Sequence, residues 1–561
     1  MPTQVTTWQQ LYNCCANPTT YITSGDGQIQ VMNNITYNDN SGNGYNGTAN
    51  GQSVYINNAA GVNISITSGT GGPYTLFTST NGQNQGVNYS RHFTIGYPTP
   101  GTPGFNIANS TVTIDNIILD GNTGALPAGA SPASTAAPVP SATPAVSWGG
   151  GIQIASGTTT FGSGFVLQNC YSGMWNDPVA GGHGALCINS YFYNITDQPC
   201  IVNFSGTIQY NQNGNGPHLA QNYYEAPGGV MIMQRNGWNN GNTSTSHTGP
   251  VTQFNMTGGN ISYNTSYCAG GGVCLDSNAL NQNSNIVFNM TGGTISYNVA
   301  ATVGGGLMVG SMSDDFITLN LSAGSINNNQ ATGTGTYIMG GNGVIKETGN
   351  GGGIWMMDGQ CNISGTIQIW NNTASQYGGG AYTSAAVAQT AWNAPSINVS
   401  GGDWKANTAI QGAAIFKSGG PLTITGGNFH QHTSTGDGAV FYAQAAVISL
   451  NATALPTNLT PSETNNTVVA GTISVFDNVA GGNGGVVNVS GSQGNNLVSS
   501  SFTATNVLFY NNSAKGNGGV LYSSSGPAYT GGTPPTVTNT LTGCIFSKNS
   551  ATNGGAYWVG M

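Results

Sequence analysis

One short unit recurs through the second half of the chain and constrains the fold more than any other feature. An apolar residue is followed three positions later by Asn. A short polar turn comes next, then Gly-Gly or a close variant, then an apolar residue. Ile261 leads to Asn264 and Gly270-Gly-Gly-Val273, Ile295 to Asn298 and Gly304-Gly-Gly-Leu307, and Ile326 to Asn329 and Gly351-Gly-Gly-Ile354. Ile369 leads to Asn372 and Gly378-Gly-Gly-Ala381, Trp404 to Asn407 and Gly412-Ala-Ala-Ile415, and Phe429 to His432 and Gly436-Asp-Gly-Ala439. Val475 leads to Asn478 and Gly484-Gly-Val486, Phe509 to Asn512 and Gly518-Gly-Val520, and Phe546 to Asn549 and Gly554-Gly-Ala556. Fainter copies lie upstream, at Ile208 to Asn211 with Gly228-Gly-Val230, and between Ile114 and Ile154. Asn264 and Asn298 are 34 residues apart, as are Asn478 and Asn512, but Asn407 and His432 are only 25 apart, so insertions of variable length separate the copies.

Within a copy, apolar and polar residues alternate, as in Ile397-Asn-Val-Ser400 and Leu422-Thr-Ile-Thr425. A period of two is the pattern of a strand. A short strand cannot bury its face alone, but one strand per coil, stacked on the next coil in parallel, buries a continuous column. The repeat therefore predicts an all-β solenoid. In it Gly-Gly supplies left-handed backbone at a corner and lets neighbouring coils approach closely. The residues Asn264, Asn298, Asn329, Asn372, Asn407, Asn478, Asn512 and Asn549 are expected to stack as a ladder, each amide donating to one neighbour and accepting from the other.

Composition removes most alternatives. Among 561 residues there are only 7 Lys and Arg and 16 Asp and Glu, a net charge of −9. Seven scattered cations cannot form the basic stripe that releases counterions from a nucleic acid. The 88 glycines show no every-third-residue period, which excludes collagen. Aromatic and branched residues are too plentiful and too regularly placed for charge-driven disorder. No apolar run reaches the 18 or so residues of a membrane span, and Met1 to Trp8 has neither the basic nor the apolar region of a secretory signal, so the export route is left open.

Phe509 to Asn512 with Gly518-Gly-Val520, and Phe546 to Asn549 with Gly554-Gly-Ala556, resemble the repeat of chlamydial polymorphic outer membrane proteins and related adhesin-like autotransporter passengers. Upstream copies replace Phe with Ile, Val or Trp, and one replaces Asn with His432. The resemblance covers 200–561 well and the first half weakly. It implies a single right-handed parallel β-helix with loop insertions, at a cell or particle surface. No autotransporter barrel follows Val559-Gly-Met561 in this sequence.

The expected organisation is an N-terminal cap and first coils over 1–122, an insertion loop over 123–147, and β-helix repeats over 148–561. Trp8, Leu11 and Tyr12 suit a short amphipathic start that covers the first coil. Strand-like runs follow at 29–31, 62–66, 74–77, 92–95 and 112–119. Segment 123–147 is rich in Pro, Ala and Ser, and Pro cannot donate to a ladder. Nine cysteines have no zinc-site spacing. Cys268 and Cys274 are close enough for a loop bridge. Cys14 and Cys15 are candidates for a bond to another chain, alongside a bridge to a later coil or a pair of free thiols.

Candidate chemistry is sparse. Asp115, Asp120, Asp276, Asp314, Asp315, Asp358, Asp403, Asp437 and Asp477 share no repeat position, so they would not form the paired carboxylates of a glycosidase. Lys346, Lys405, Lys417, Arg91 and Arg235 are isolated. His430 and His432, two apart, are expected on one strand face, as a degenerate repeat more than a metal site. No catalytic residue, metal or cofactor is expected. The leading expectation is a non-catalytic extracellular structural protein that stacks end to end with copies of itself. One alternative is a surface adhesin binding glycans or proteins through its loops, with Tyr223, Tyr224 and Trp238 as contact residues. Another is a polysaccharide lyase or hydrolase, or a phage tailspike.

Overall fold

The computed structural model describes residues 1–22, 27–36, 54–56, 63–77, 92–96, 111–121, 151–173, 184–189, 199–214, 227–233, 251–266, 269–277, 285–311, 316–334, 348–384, 395–490, 499–524 and 536–560. They fall into two compact units. One comprises Met1–Val299 with Ser311–Ile317 and Ile338–Val344, and the other Ala300–Gly310, Thr318–Tyr337 and Ile345–Met561. The insertion at 123–147 lies outside the described residues.

Both units are parallel β-helices. In the second, a coil starts on a wide sheet, turns through a two-residue rung of a narrow sheet, and returns on a back sheet. Ser396–Lys405, Thr408–Ala409 and Ile415–Ser418 make one such coil. The next coil pairs with it in parallel on all three sheets, Trp404 opposite Phe429, Thr408 opposite Thr433 and Ile415 opposite Phe441. The strict alternation puts one residue in two inside. Ile326, Ile369, Trp404, Phe429, Val475 and Phe509 stand in register as a fully buried column. In the first unit, Leu119, Leu167, Ile208, Ile261 and Ile295 do the same. Beside them Phe161 stands opposite Phe204 and Phe254 opposite Phe288, the latter pair stacked at 5.5 Å, and a ring contact of 5.6 Å between Phe204 and Phe254 joins the two pairs across neighbouring rows.

Two corners per coil need left-handed backbone, and only one of them was expected. The first glycine of the Gly-Gly pair takes it, with φ near +66° at Gly304, Gly378 and Gly484. The second corner falls on the residue just before each ladder Asn. Tyr210, Tyr263 and Tyr297 in the first unit, and Asn328, Asn371, Ala406, Asp477, Asn511 and Lys548 in the second, all have φ between 52° and 57°. Asn and Asp tolerate this conformation, but each Tyr, Ala or Lys there costs roughly 1–2 kcal/mol. The three tyrosines regain part of it by stacking face to face, 5.2 Å from Tyr210 to Tyr263 and 5.0 Å from Tyr263 to Tyr297.

The second glycine of the pair answers a different demand. Its backbone is ordinary, but a Cβ on Gly485 would lie 2.1 Å from the Gly519 carbonyl oxygen, and one on Gly519 would lie 2.0 Å from that of Gly555. Where the corner opens slightly, Ala413 and Ala414 replace it and stay buried. The narrow sheet is tight for the same reason. Its inward residues are Ala331, Ala374, Ala409, Ser434, Ala480 and Ala514.

Substituting Gly519 by Ala is expected to lower stability by about 2 kcal/mol, because backbone faces the new methyl on the neighbouring coil. Gly258→Ala, whose Cβ would meet only Ser205 Cβ at 3.6 Å, is expected to be tolerated. Urea denaturation of the two variants checks the contrast.

Candidate functional site

The Asn residues explain why the repeat has its spacing. In the second unit, the backbone N–H and the side-chain Nδ2 of Asn329 both donate to Asn372 Oδ1, at 3.1 and 3.0 Å. Asn372 donates in the same way to Asn407, Asn478 to Asn512, and Asn512 to Asn549. The remaining amide hydrogen goes back one coil, to the carbonyl of the apolar residue that opens the motif there. Asn372 reaches Ile326, Asn407 reaches Ile369, Asn478 reaches Phe429, Asn512 reaches Val475 and Asn549 reaches Phe509. The first unit repeats the arrangement through Asn211, Asn264 and Asn298. A buried amide thus uses two donors and one doubly accepting oxygen. Asp would lose both donors, and Gln would be a methylene too long.

His432 interrupts the ladder. Its Nδ1 accepts the Asn407 N–H at 3.1 Å and its own N–H donates to Asn478 Oδ1 at 2.9 Å. Its buried Nε2 is turned to the Trp404 carbonyl, the acceptor that a ladder Asn would use there, but closes no hydrogen bond of normal geometry. Burial, helped by nearby His430, pulls its pKa down to about 3. His92 is also sealed in and lowered to about 4 by burial, although Leu76, Asp120 and Gly151 bond its ring through their backbone. Lys417 points into the core of the back sheet, bonds Thr383 Oγ1 and the Pro395 carbonyl, and is lowered by burial to about 7.

His430 and His432 do not share a face. The left-handed turn at Gln431 sits between them. His430 leaves the inner face but is itself buried, stacked on Phe476 at 4.6 Å beside Asn466 of the insertion, while His432 joins the ladder. The structure also gathers charges that stand apart in the sequence. His430 Nε2 lies 3.0 Å from Asp403 Oδ1 and 3.1 Å from Asn466 Nδ2, and Lys405 pairs with Glu463, which Gln431 also bonds. This cluster fastens the insertion 452–472 over the wide sheet. The other described carboxylates mostly hold backbone or amide donors, Asp115 those of Asn116 and Gly164, and Asp437 that of Asn483.

The coil at 537–560 is more exposed than the coil it pairs with. Its strands Val537–Thr542, Ile545–Ser547 and Tyr557–Gly560 are paired on one side, to Ser500–Thr505, Val507–Tyr510 and Leu521–Ser524. Leu541, Phe546 and Val559 are 37%, 36% and 51% exposed, whereas Ala504 and Phe509, opposite the first two, are fully buried. Asn539 takes an inward position that Phe502 fills one coil earlier, and its Oδ1 is buried without a partner. Asn549 accepts from Asn512 and donates to Phe509, and its backbone N–H has no described acceptor.

In the first unit a helix covers the coil that begins at Gln28. Trp8–Ala16 forms α1, whose N-terminus is capped reciprocally by Thr7 and Gln10. It packs on Thr3–Val5, Gln28–Val31 and Val54–Ile56 with Trp8, Leu11, Cys14 and Cys15 buried. Burial raises both thiols above their ordinary pKa. Tyr223, Tyr224, Trp238 and Cys268 lie outside the described residues. Comparison with protein-family profiles, with curated proteins and with solved structures finds no match.

His432→Asn is expected to raise stability by about 1 kcal/mol by removing an orphaned donor and completing the ladder. Asn512→Asp is expected to cost about 3 kcal/mol, since it strips both donors and buries a carboxylate. The three lowered bases share one sign. Each binds fewer protons folded than unfolded, so stability falls as pH drops from 6.5 through about 4 and 3 for the histidines, and from 10.5 to about 7 for Lys417. Denaturation midpoints across pH 3–10 test this, and His432→Asn should flatten the acid limb.

Proposed function

We propose that the protein is a non-catalytic structural protein that assembles into fibres at an extracellular or particle surface, copies stacking end to end. The observation that carries this reading is a stack of coils that pair in parallel on each sheet, in a chain with only 7 Lys and Arg and 16 Asp and Glu among 561 residues. Strand edges are templates for further strands, and soluble proteins ordinarily shield them with charge, proline or a covering element. The low charge of the whole chain removes the repulsion that keeps copies apart. The resemblance of the repeat to surface passengers supports the location.

The test is light scattering after size exclusion across a concentration series, with negative-stain microscopy. The wild-type chain is expected to associate into elongated particles. A wild-type chain that stays monomeric at high concentration overturns the reading.

A further inference from the structure

Three consecutive coils of the first unit place a tyrosine at the same outer corner. Gln209, Ser262 and Ser296 stand in register on the wide sheet, and Tyr210, Tyr263 and Tyr297 follow them directly. Asn211, Asn264 and Asn298 come next and lock the corner from inside through the ladder. Each tyrosine is held at φ between 55° and 57°. A bulky residue in this region is an outlier, and strain that the fold sustains clusters at functional positions. The corner does not call for tyrosine, because Asn328, Asn371 and Asn511 build it in the second unit with a residue suited to the conformation. What tyrosine adds is a half-buried row of phenols, ring on ring. The centroids are 5.2 and 5.0 Å apart, with planes 19° and 3° from parallel. Burial first, and the neighbouring phenol second, raise the pKa of Tyr210 and Tyr263, so both are protonated at neutral pH.

We propose that Tyr210, Tyr263 and Tyr297 are a site of oxidative coupling that bonds neighbouring coils to one another. Two equivalents of a one-electron oxidant, of the class that a peroxidase haem supplies, take one electron from each of two adjacent phenols, and each hydroxyl proton passes to water. The two phenoxyl radicals join through ring carbons ortho to oxygen. One C–C bond forms, the C–H bond at each of those two carbons breaks, and the hydrogens return to the oxygens, so both rings are phenols again. The net loss is two electrons, to the oxidant, and two protons, to water. Coupling needs two phenols in ring contact on neighbouring coils, and the geometry selects this row. Phe254 and Phe288 stack but carry no hydroxyl. On the back sheet Tyr382 and Tyr442 both stack on Phe416, which stands between them. Tyr377 is 6.5 Å from Tyr382 and closer to Phe416, at 4.8 Å. A bond at the tyrosine corner would fix two coils beside the point where the ladder already joins them.

The experiment is oxidation of the dilute intact chain with photo-excited ruthenium tris(bipyridine) and persulfate, which act as a one-electron oxidant. The monomer band is then separated on a denaturing gel and its peptides are mapped by mass spectrometry. Dityrosine fluorescence is expected in the monomer, with Tyr263 linked to Tyr210 or to Tyr297. Tyr263→Phe keeps the stacked ring but removes the central phenol. It is expected to lose both links while its circular dichroism stays that of wild type. Tyr210→Phe is expected to keep only the link between Tyr263 and Tyr297. An oxidised monomer with no link at Tyr263, or dityrosine at undiminished yield in Tyr263→Phe, would overturn the proposal. Either result leaves the assembly reading untouched, because the coupling is within one copy.

Discussion

The structure depends on one acceptor, the Oδ1 of a buried asparagine, which receives two hydrogen bonds from the coil before it. Because the backbone N–H and the side chain of one residue converge on the same oxygen, each rung fixes both the position and the rotation of the next coil. The third bond, back to the apolar residue's carbonyl, ties the ladder to the hydrophobic column. Polar satisfaction and apolar burial are therefore one repeat, and neither can shift without the other. Buried amides of this kind stabilise only when fully paired, since a half-satisfied network is worse than an apolar one. His432 is the rung where that condition fails.

The corners carry the cost of bringing coils so close. Left-handed backbone recurs before every ladder residue of the motif, and glycine recurs where a neighbouring carbonyl leaves no room for a methyl. The two demands are distinct. At the first, Asn371 and Asn511 are suited, and Tyr263 is held by its stacked neighbours. At the second, steric contact with backbone leaves Gly or a marginal Ala.

Scarce charge follows from the same geometry. A column that repeats at the strand spacing, about 4.8 Å, would set like charges against one another. Among the described residues Lys405 pairs with Glu463 and Asp403 bonds His430, where they pin an insertion to the sheet.

The repeat spacing determined the fold class, the inward columns and which amides share a column, because a solenoid makes neighbours of equivalent positions and sequence periodicity records equivalence directly. It also marked Gly-Gly as a corner. The second left-handed position was visible as the residue before each Asn, but Tyr263, Ala406 and Lys548 have nothing in common that would announce a positive φ. Nor did sequence distance relate Asp403 and His430 to Asn466 and Glu463, since that cluster depends on where an insertion lands. Cys14 and Cys15 near a chain terminus looked accessible, and only the packing of α1 buried them. Local conformation and periodic contact are properties of a residue's own repeat. Burial, loop docking and the exposure of a coil are properties of what lies across from it, and that is settled only when the chain has folded.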